Sequence, residues 1–320
     1  MTAASAGKSF VLHAAIILLL FLLQFILPEY HHLSATRIMI LAVFAMGYNV
    51  LFGYTGLLSL GHAMFFATGL YAAGLTVYHL EWGVLPAFAL AVLVGALVSA
   101  VIGAIALRTT GVAFMIVTMM FAQVAYLATL YFTAYTRGDE GLVLPEQARS
   151  FSVMGWRVDL VDPATRYFIA LGLLSISMII IYRLVQGATG RELIAIRENE
   201  PRTRMLGYNT FSIKLKAVVI SGTLSAAAGA TYALLFAYVG SSFASIQYSI
   251  DALLYTLLGG AGTVLGPVLG SFMMFYLVDI ASEYTAAYLL VAGVALILLI
   301  LYFPKGILGT VREKWLPWLP

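Results

Sequence analysis

Apolar runs of about 20 residues recur along this 320-residue chain, and a run of that length crosses a hydrocarbon core of roughly 30 Å as a helix. Within lipid no water can satisfy a backbone amide, so each must bond inside its own segment or in a closed barrel. The ten-residue alternation of a lipid-facing barrel strand is missing. At 62% hydrophobic and 10% charged, the chain lies far from the roughly 45–50% and 25% of soluble domains. The expected fold is all-α: a single transmembrane bundle over residues 1–320, with about ten crossings, or about eight if short pieces merge. The runs fall at residues 10–27, 38–53, 57–78, 84–107, 112–135, 167–184, 215–239, 250–262, 264–280 and 284–303. The eighth is too short to span unaided, which predicts a broken or re-entrant piece. Lys8 followed by the run at 10–27 reads as a retained first helix, since that run is longer than a signal peptide's apolar region.

The charges orient this bundle. With the N-terminus inside, twelve Lys and Arg residues fall on the cytoplasmic side and five (Arg37, Arg137, Arg149, Arg157, Arg166) outside, as the positive-inside rule asks. Both termini are then cytoplasmic. The net charge of +3, spread over short loops, fits topology and not nucleic-acid binding. Two connections are long. The external loop, residues 136–166, carries four arginines and five acids, with a short hairpin predicted about Gly155. The cytoplasmic loop, residues 185–214, contains RELIAIRENEPRTRMLG from Arg191 to Gly207, with four arginines and three glutamates. Leu193, Ile196 and Arg197 lie at helical spacing. A break is expected at Glu200-Pro201, and Gly207 ends a second short helix.

Several kinds of chemistry are absent. The chain has no cysteine, which excludes disulfides, thiol catalysis and cysteine-ligated metals. Ala6-Gly7-Lys8-Ser9 ends like a phosphate-binding loop, but Thr2 stands where its first glycine belongs and no strand precedes it. The five histidines are not spaced with carboxylates as metal ligands, and His31-His32 is expected in an external turn. No Ser-His-Asp set has supporting context. A charge at a helix centre costs roughly 2.5–3.5 kcal/mol. Asp251, Asp279 and Glu283 accordingly fall near predicted span ends, as interfacial groups and not a proton relay. This argues against a self-sufficient secondary carrier, the main competing reading.

Polar groups gather instead in NVLFGYTGLLSLGH, residues 49–62, where Gly53, Gly56 and Gly61 interrupt an apolar run. Such interruptions survive only inside protein or beside a cavity. Asn49, Thr55, Ser59 and His62, with Gln123, are therefore candidates to line a translocation path, or else to bond neighbouring helices. A second glycine-rich break runs from Gly259 to Gly270. The two align too poorly to be read as an internal duplication.

At these residues the chain resembles the LivM-type permease subunits of branched-chain amino acid ATP-binding-cassette importers. The matching pieces are GYTGLLSLGHAMFFATGLYAAG (53–74), the segment from Gly190 to Leu234, LLGGAGTVLGPVLG (257–270) and FPKGILG (303–309), in order over most of the chain. The resemblance implies a bacterial inner-membrane importer. In it the subunit pairs with a LivH-like permease, two cytoplasmic ATPases that hold ATP and Mg, and an external solute-binding protein. It implies no cofactor in this chain. Residues 191–207 would be the coupling element docking on an ATPase. Arg191, Leu193, Ile196, Arg197, Glu198, Glu200 and Gly207 are its candidate residues, with Leu193 and Ile196 filling a groove and Arg197, Glu198 and Glu200 fixing orientation at the rim. Permeases of urea, short amides and aromatic acids share this pattern, so the substrate stays open among these and hydrophobic amino acids.

Overall fold

A computed structural model describes residues 3–153, 156–285 and 287–315. Its helices are α1 (Ala3–Leu23), α2 (Glu29–Asn49), α3 (Ala63–His79), α4 (Val84–Ala106), α5 (Val112–Tyr131), α6 (Thr133–Thr136), α7 (Pro163–Gln186), α8 (Ala188–Met205), α9 (Thr210–Phe236), α10 (Ile246–Gly259), α11 (Gly266–Tyr284), α12 (Tyr288–Tyr302) and α13 (Ile307–Lys314). Among the described residues, five segments are long and apolar enough to cross a membrane: Tyr30–Tyr54, Val84–Ala106, Val112–Tyr131, Pro163–Gln186 and Thr210–Phe236. Strands are short. β1 (Leu142–Val143) pairs antiparallel with β4 (Tyr238–Val239), and β2 (Ser150–Val153) with β3 (Trp156–Asp159). The second pair is a hairpin at the predicted place, while Gly155 lies outside the described residues.

Helix α9 is the axis of the bundle, packing on α2, α3 and α4. Lipid is as apolar as leucine, so helices in a bilayer associate through close packing and interhelical bonds. Here glycines set the spacing. A Cβ on Gly69 of α3 would lie 1.9 Å from the Ala226 carbonyl oxygen, and one on Gly229 of α9 1.9 Å from that of Phe66. Backbone therefore touches backbone along the α3–α9 seam.

Helix α2 starts well before the predicted span, because Pro28 opens it and the polar residues after Pro28 continue the same helix. His31 and His32 thus sit in its first turn, where a loop was expected, and His31 Nδ1 lies 3.2 Å from the Tyr276 hydroxyl of α11. At its other end α2 widens into a π turn, Val50–Tyr54. Residues 55–62 are irregular, with Gly56 at φ +76°. The predicted crossing at 57–78 is therefore non-helical until Ala63.

The C-terminal end of α9 is closed by the long loop that precedes α7. Buried Arg149 donates from Nε to the Leu234 carbonyl at 3.2 Å, and from Nη2 to those of Leu235 at 2.5 Å and Leu160 at 3.1 Å. A cation on the terminal carbonyls satisfies orphan acceptors and complements the helix dipole. Asp162 caps α7 by accepting from the Thr165 amide and hydroxyl, both at 2.8 Å, and these bonds hold its carboxyl below the ordinary range.

Candidate functional site

The polar segment folds as α8, in two pieces hinged at Asn199 (φ −160°, ψ 93°). The break precedes the predicted Glu200-Pro201 because Asn199 caps the second piece, its Oδ1 accepting from the Arg202 amide at 2.9 Å. Gly207, at φ +90°, follows the C-terminal end of α8. Thr203 Oγ1 donates back across the hinge to the Ala195 carbonyl at 3.0 Å, so the pieces hold a fixed angle.

One side of α8 is spent inside this chain. Leu193 and Ile196 are buried in the main core. This corrects their expected role: they anchor α8 to the bundle and are not free to fill a groove on another subunit. The helical spacing marked an apolar face but not what covers it. Glu200 also turns inward, its Oε1 2.8 Å from the Lys214 ammonium of α9 and 3.3 Å from Arg204. Partial burial alone would raise the Glu200 carboxyl. The hydrogen bond and charge of Lys214, with Thr210 and Arg204, outweigh that and leave it below its usual value.

The other side is open. Arg191 and Glu198 are exposed, Arg191 donating to the Gln186 carbonyl at 3.3 Å. Beside them stand apolar groups that the sequence reading missed: Met205 is 83% exposed and Leu206 71%, followed by exposed Tyr208 and Phe211. Their signal was present, as four large apolar residues at the end of a charged segment.

Arg197 is exposed beside Glu198 but also bonds back to the bundle. Its Nη1 donates to the carbonyl oxygen of Gly53, in the π turn that ends α2. Asn49 joins this turn to the second glycine-rich break, donating from Nδ2 to the Thr263 carbonyl at 2.8 Å and accepting at Oδ1 from the Gly262 amide at 2.9 Å. Arg312 of α13 donates to the Gly262 carbonyl at 3.0 Å. The two breaks, remote in sequence, are thus in contact. A cavity of about 570 Å³ opens beside them, lined by Phe52, Arg197, Thr263, Lys305, Arg312 and Glu313 among others.

The remaining path candidates are placed as follows. Thr55 Oγ1 donates to the Val50 carbonyl at 2.9 Å, and Ser59 Oγ accepts from the Gly61 amide at 3.2 Å. His62 is fully buried, its Nε2 2.7 Å from Ser225 Oγ of α9 and its ring stacked on Phe44. Thr55 and Ser59 thus bond locally within the interrupted segment, whereas His62, like Asn49, ties it to another element. Gln123 stands apart from them, half-buried midway along α5. An open crevice of about 420 Å³ lies instead between α3 and α5, lined by Met64, Ala67, Tyr71, Leu75 and Ala125 with the hydroxyl residues Thr68 and Thr129.

Residues 32–302 match the family described as branched-chain amino acid transport system / permease component. The chain is 29% identical over 298 residues to the high-affinity branched-chain amino acid transport system permease protein LivM of Salmonella typhimurium, covering 88% of this chain and 70% of that protein. Identity to LivM of Escherichia coli K12 is 28% over the same length and coverage. The LivH permease of Escherichia coli K12 is 23% identical over 292 residues, 84% of this chain and 91% of LivH. No solved structure matches significantly.

Proposed function

The chain belongs to the family of permease components of branched-chain amino acid transport systems, and we propose that it forms one half of the membrane pathway of an ATP-driven importer. It is a transport subunit and not itself an enzyme. The observation that carries this reading is the form of α8: anchored by Leu193 and Ile196 on one side, and presenting Glu198, Met205 and Leu206 on the other. An exposed apolar tip with charges beside it is the chemistry of a docking surface for another protein. The proposed partner there is a cytoplasmic ATPase that holds ATP and Mg. A second, LivH-like permease completes the pathway, and an external binding protein delivers the solute.

On this reading the bundle crosses the bacterial inner membrane ten times. The crossings are α1, α2, residues 55–62 continuing into α3, α4, α5, α7, α9, α10, α11 and α12. Helices α8 and α13 and both termini are cytoplasmic, which gathers the basic residues inside. Alternating access follows as ATP-driven closure of the ATPases moves α8 and the helices on either side of it, α7 and α9. The solute proposed is a branched-chain or other hydrophobic amino acid. Its side chain suits the α3–α5 crevice, where Thr68 and Thr129 offer transient hydrogen bonds to the polar end and no fixed charge binds it tightly. The Asn49–His62 segment then serves as framework.

The test is ATP-dependent uptake in vesicles by the assembled transporter, with Glu198→Ala and Leu206→Asp in this chain. Loss of uptake together with loss of ATPase co-purification is expected. Normal uptake with normal association would reject α8 as the docking surface.

A further inference from the structure

Arg197 stands on the cytoplasmic helix α8 and is itself exposed, yet its Nη1 bonds a backbone carbonyl of the bundle. Its acceptor, the Gly53 carbonyl, lies at the end of α2, where the π turn has replaced the regular helix. The space there admits no side chain. A Cβ on Gly53 would lie 1.9 Å from Asn49 Oδ1 and 2.5 Å from the Gly262 amide nitrogen, and one on Gly262 would lie 3.0 Å from Arg197 Nη1. Asn49 bonds both Gly262 and Thr263, so the end of α2 and the turn between α10 and α11 move as one body. That body carries two cations from two flanking elements: Arg197 from α8 on the Gly53 carbonyl, and Arg312 from α13 on the Gly262 carbonyl. Leu193 and Ile196 hold the first piece of α8 by apolar contacts, which resist separation but permit sliding. Beyond the hinge Glu200 pairs with Lys214 of α9 and not with either glycine break. Charge-assisted hydrogen bonds are directional and stronger.

We propose that Arg197 is a positioning residue that transmits displacement of α8 to both glycine breaks at once, and is not a docking residue for the ATPase. Where α8 moves, the Gly53 carbonyl follows. Through Asn49 the turn at 260–265 follows as well, and with it the cytoplasmic ends of α2, α10 and α11. Arg312 fixes the same body to α13, so a push on α8 is met by a hinge rather than by free translation. This rests on the reading of α8 as the ATPase contact.

The experiment compares solute imported per ATP hydrolysed by the assembled transporter in proteoliposomes, for the wild type, Arg197→Ala, Arg197→Lys and Glu198→Ala. Arg197→Ala should keep its ATPase and hydrolyse ATP within about twofold of wild type while importing at least about tenfold less solute per ATP, the scale of one lost charge-assisted bond. Arg197→Lys, which keeps a donor and a charge but loses the planar fork, should give an intermediate ratio, and it carries the comparison alone if Arg197→Ala does not accumulate. Glu198→Ala should lower hydrolysis and import together. A wild-type ratio in the Arg197 variants overturns the proposal, as does loss of the ATPase from Arg197→Ala. A wild-type chain that purifies with no ATPase overturns the reading of α8 itself, and the transmission role with it.

Discussion

Helices α4 and α9 lie side by side and are both apolar, yet they are built on opposite principles. The α4 segment has a mean hydropathy of 2.6 with 22% of its window buried, whereas α9 has 1.6 with 83% buried. The same inversion separates α5, 17% buried, from the α2 segment at 83%. In water the most apolar helix would be the most buried. In a bilayer, the helix that faces lipid must be apolar all round its outer face, while the central one can hold small and polar residues. Helix α9 uses that freedom: Ser221 Oγ donates to the Gly47 carbonyl at 2.6 Å, Ser225 meets His62, and Gly229 touches the backbone of α3.

That contrast breaks most visibly at Gly229. Valine there drives its Cβ into the Phe66 carbonyl, and a cost above about 4 kcal/mol is expected, seen as loss of folded protein after detergent extraction. Full recovery of a stable Gly229→Val protein would mean that the α3–α9 seam is loose. Ser225→Ala comes next. It leaves His62 Nε2 buried without its partner, so a loss of about 2 kcal/mol is expected in thermal unfolding, partly restored by adding His62→Phe. A fully additive double variant would deny the pair its importance.

Glu200→Gln sharpens the comparison at the N-terminal end of α9, where it strips Lys214 of its counter-charge at a loss of about 1 kcal/mol. The folded carboxyl sits below its ordinary value of 4.5. Its contribution is therefore complete above that value and is lost as pH falls through the depressed one. Wild type should lose more thermal stability than Glu200→Gln on acidification below about pH 4.5, and parallel curves would contradict this. The smallest effect belongs to α4: Leu97→Val, on its exposed face, should move stability by less than about 0.5 kcal/mol.

The same physics decides what could be read from the chain alone. The spans of α4, α7 and α9 were legible because length and apolarity are local properties. So was the interruption at Gly53–Gly61. The start of α2 was not, because the polar residues after Pro28 continue a helix beyond its apolar run. Nor was the orientation of α8: the spacing of Leu193 and Ile196 is the same whether their partner is this bundle or another subunit. Both glycine breaks stood out as compositional features, but the bonds from Asn49 to Gly262 and Thr263 join positions more than two hundred residues apart. No local pattern encodes such a pairing. The same bonds show Asn49 tied to a neighbouring element, one of the two places the chain alone left open for it.

The central proposal is that this bundle is a passive pathway driven from outside the membrane through α8. The most direct measurement is import of a labelled hydrophobic amino acid into proteoliposomes holding the complete transporter and its binding protein, with ATP or with an imposed proton or sodium gradient as the only energy source. Accumulation with ATP and none with either gradient is the expected result. Gradient-driven accumulation by this chain alone, without ATP, would contradict it.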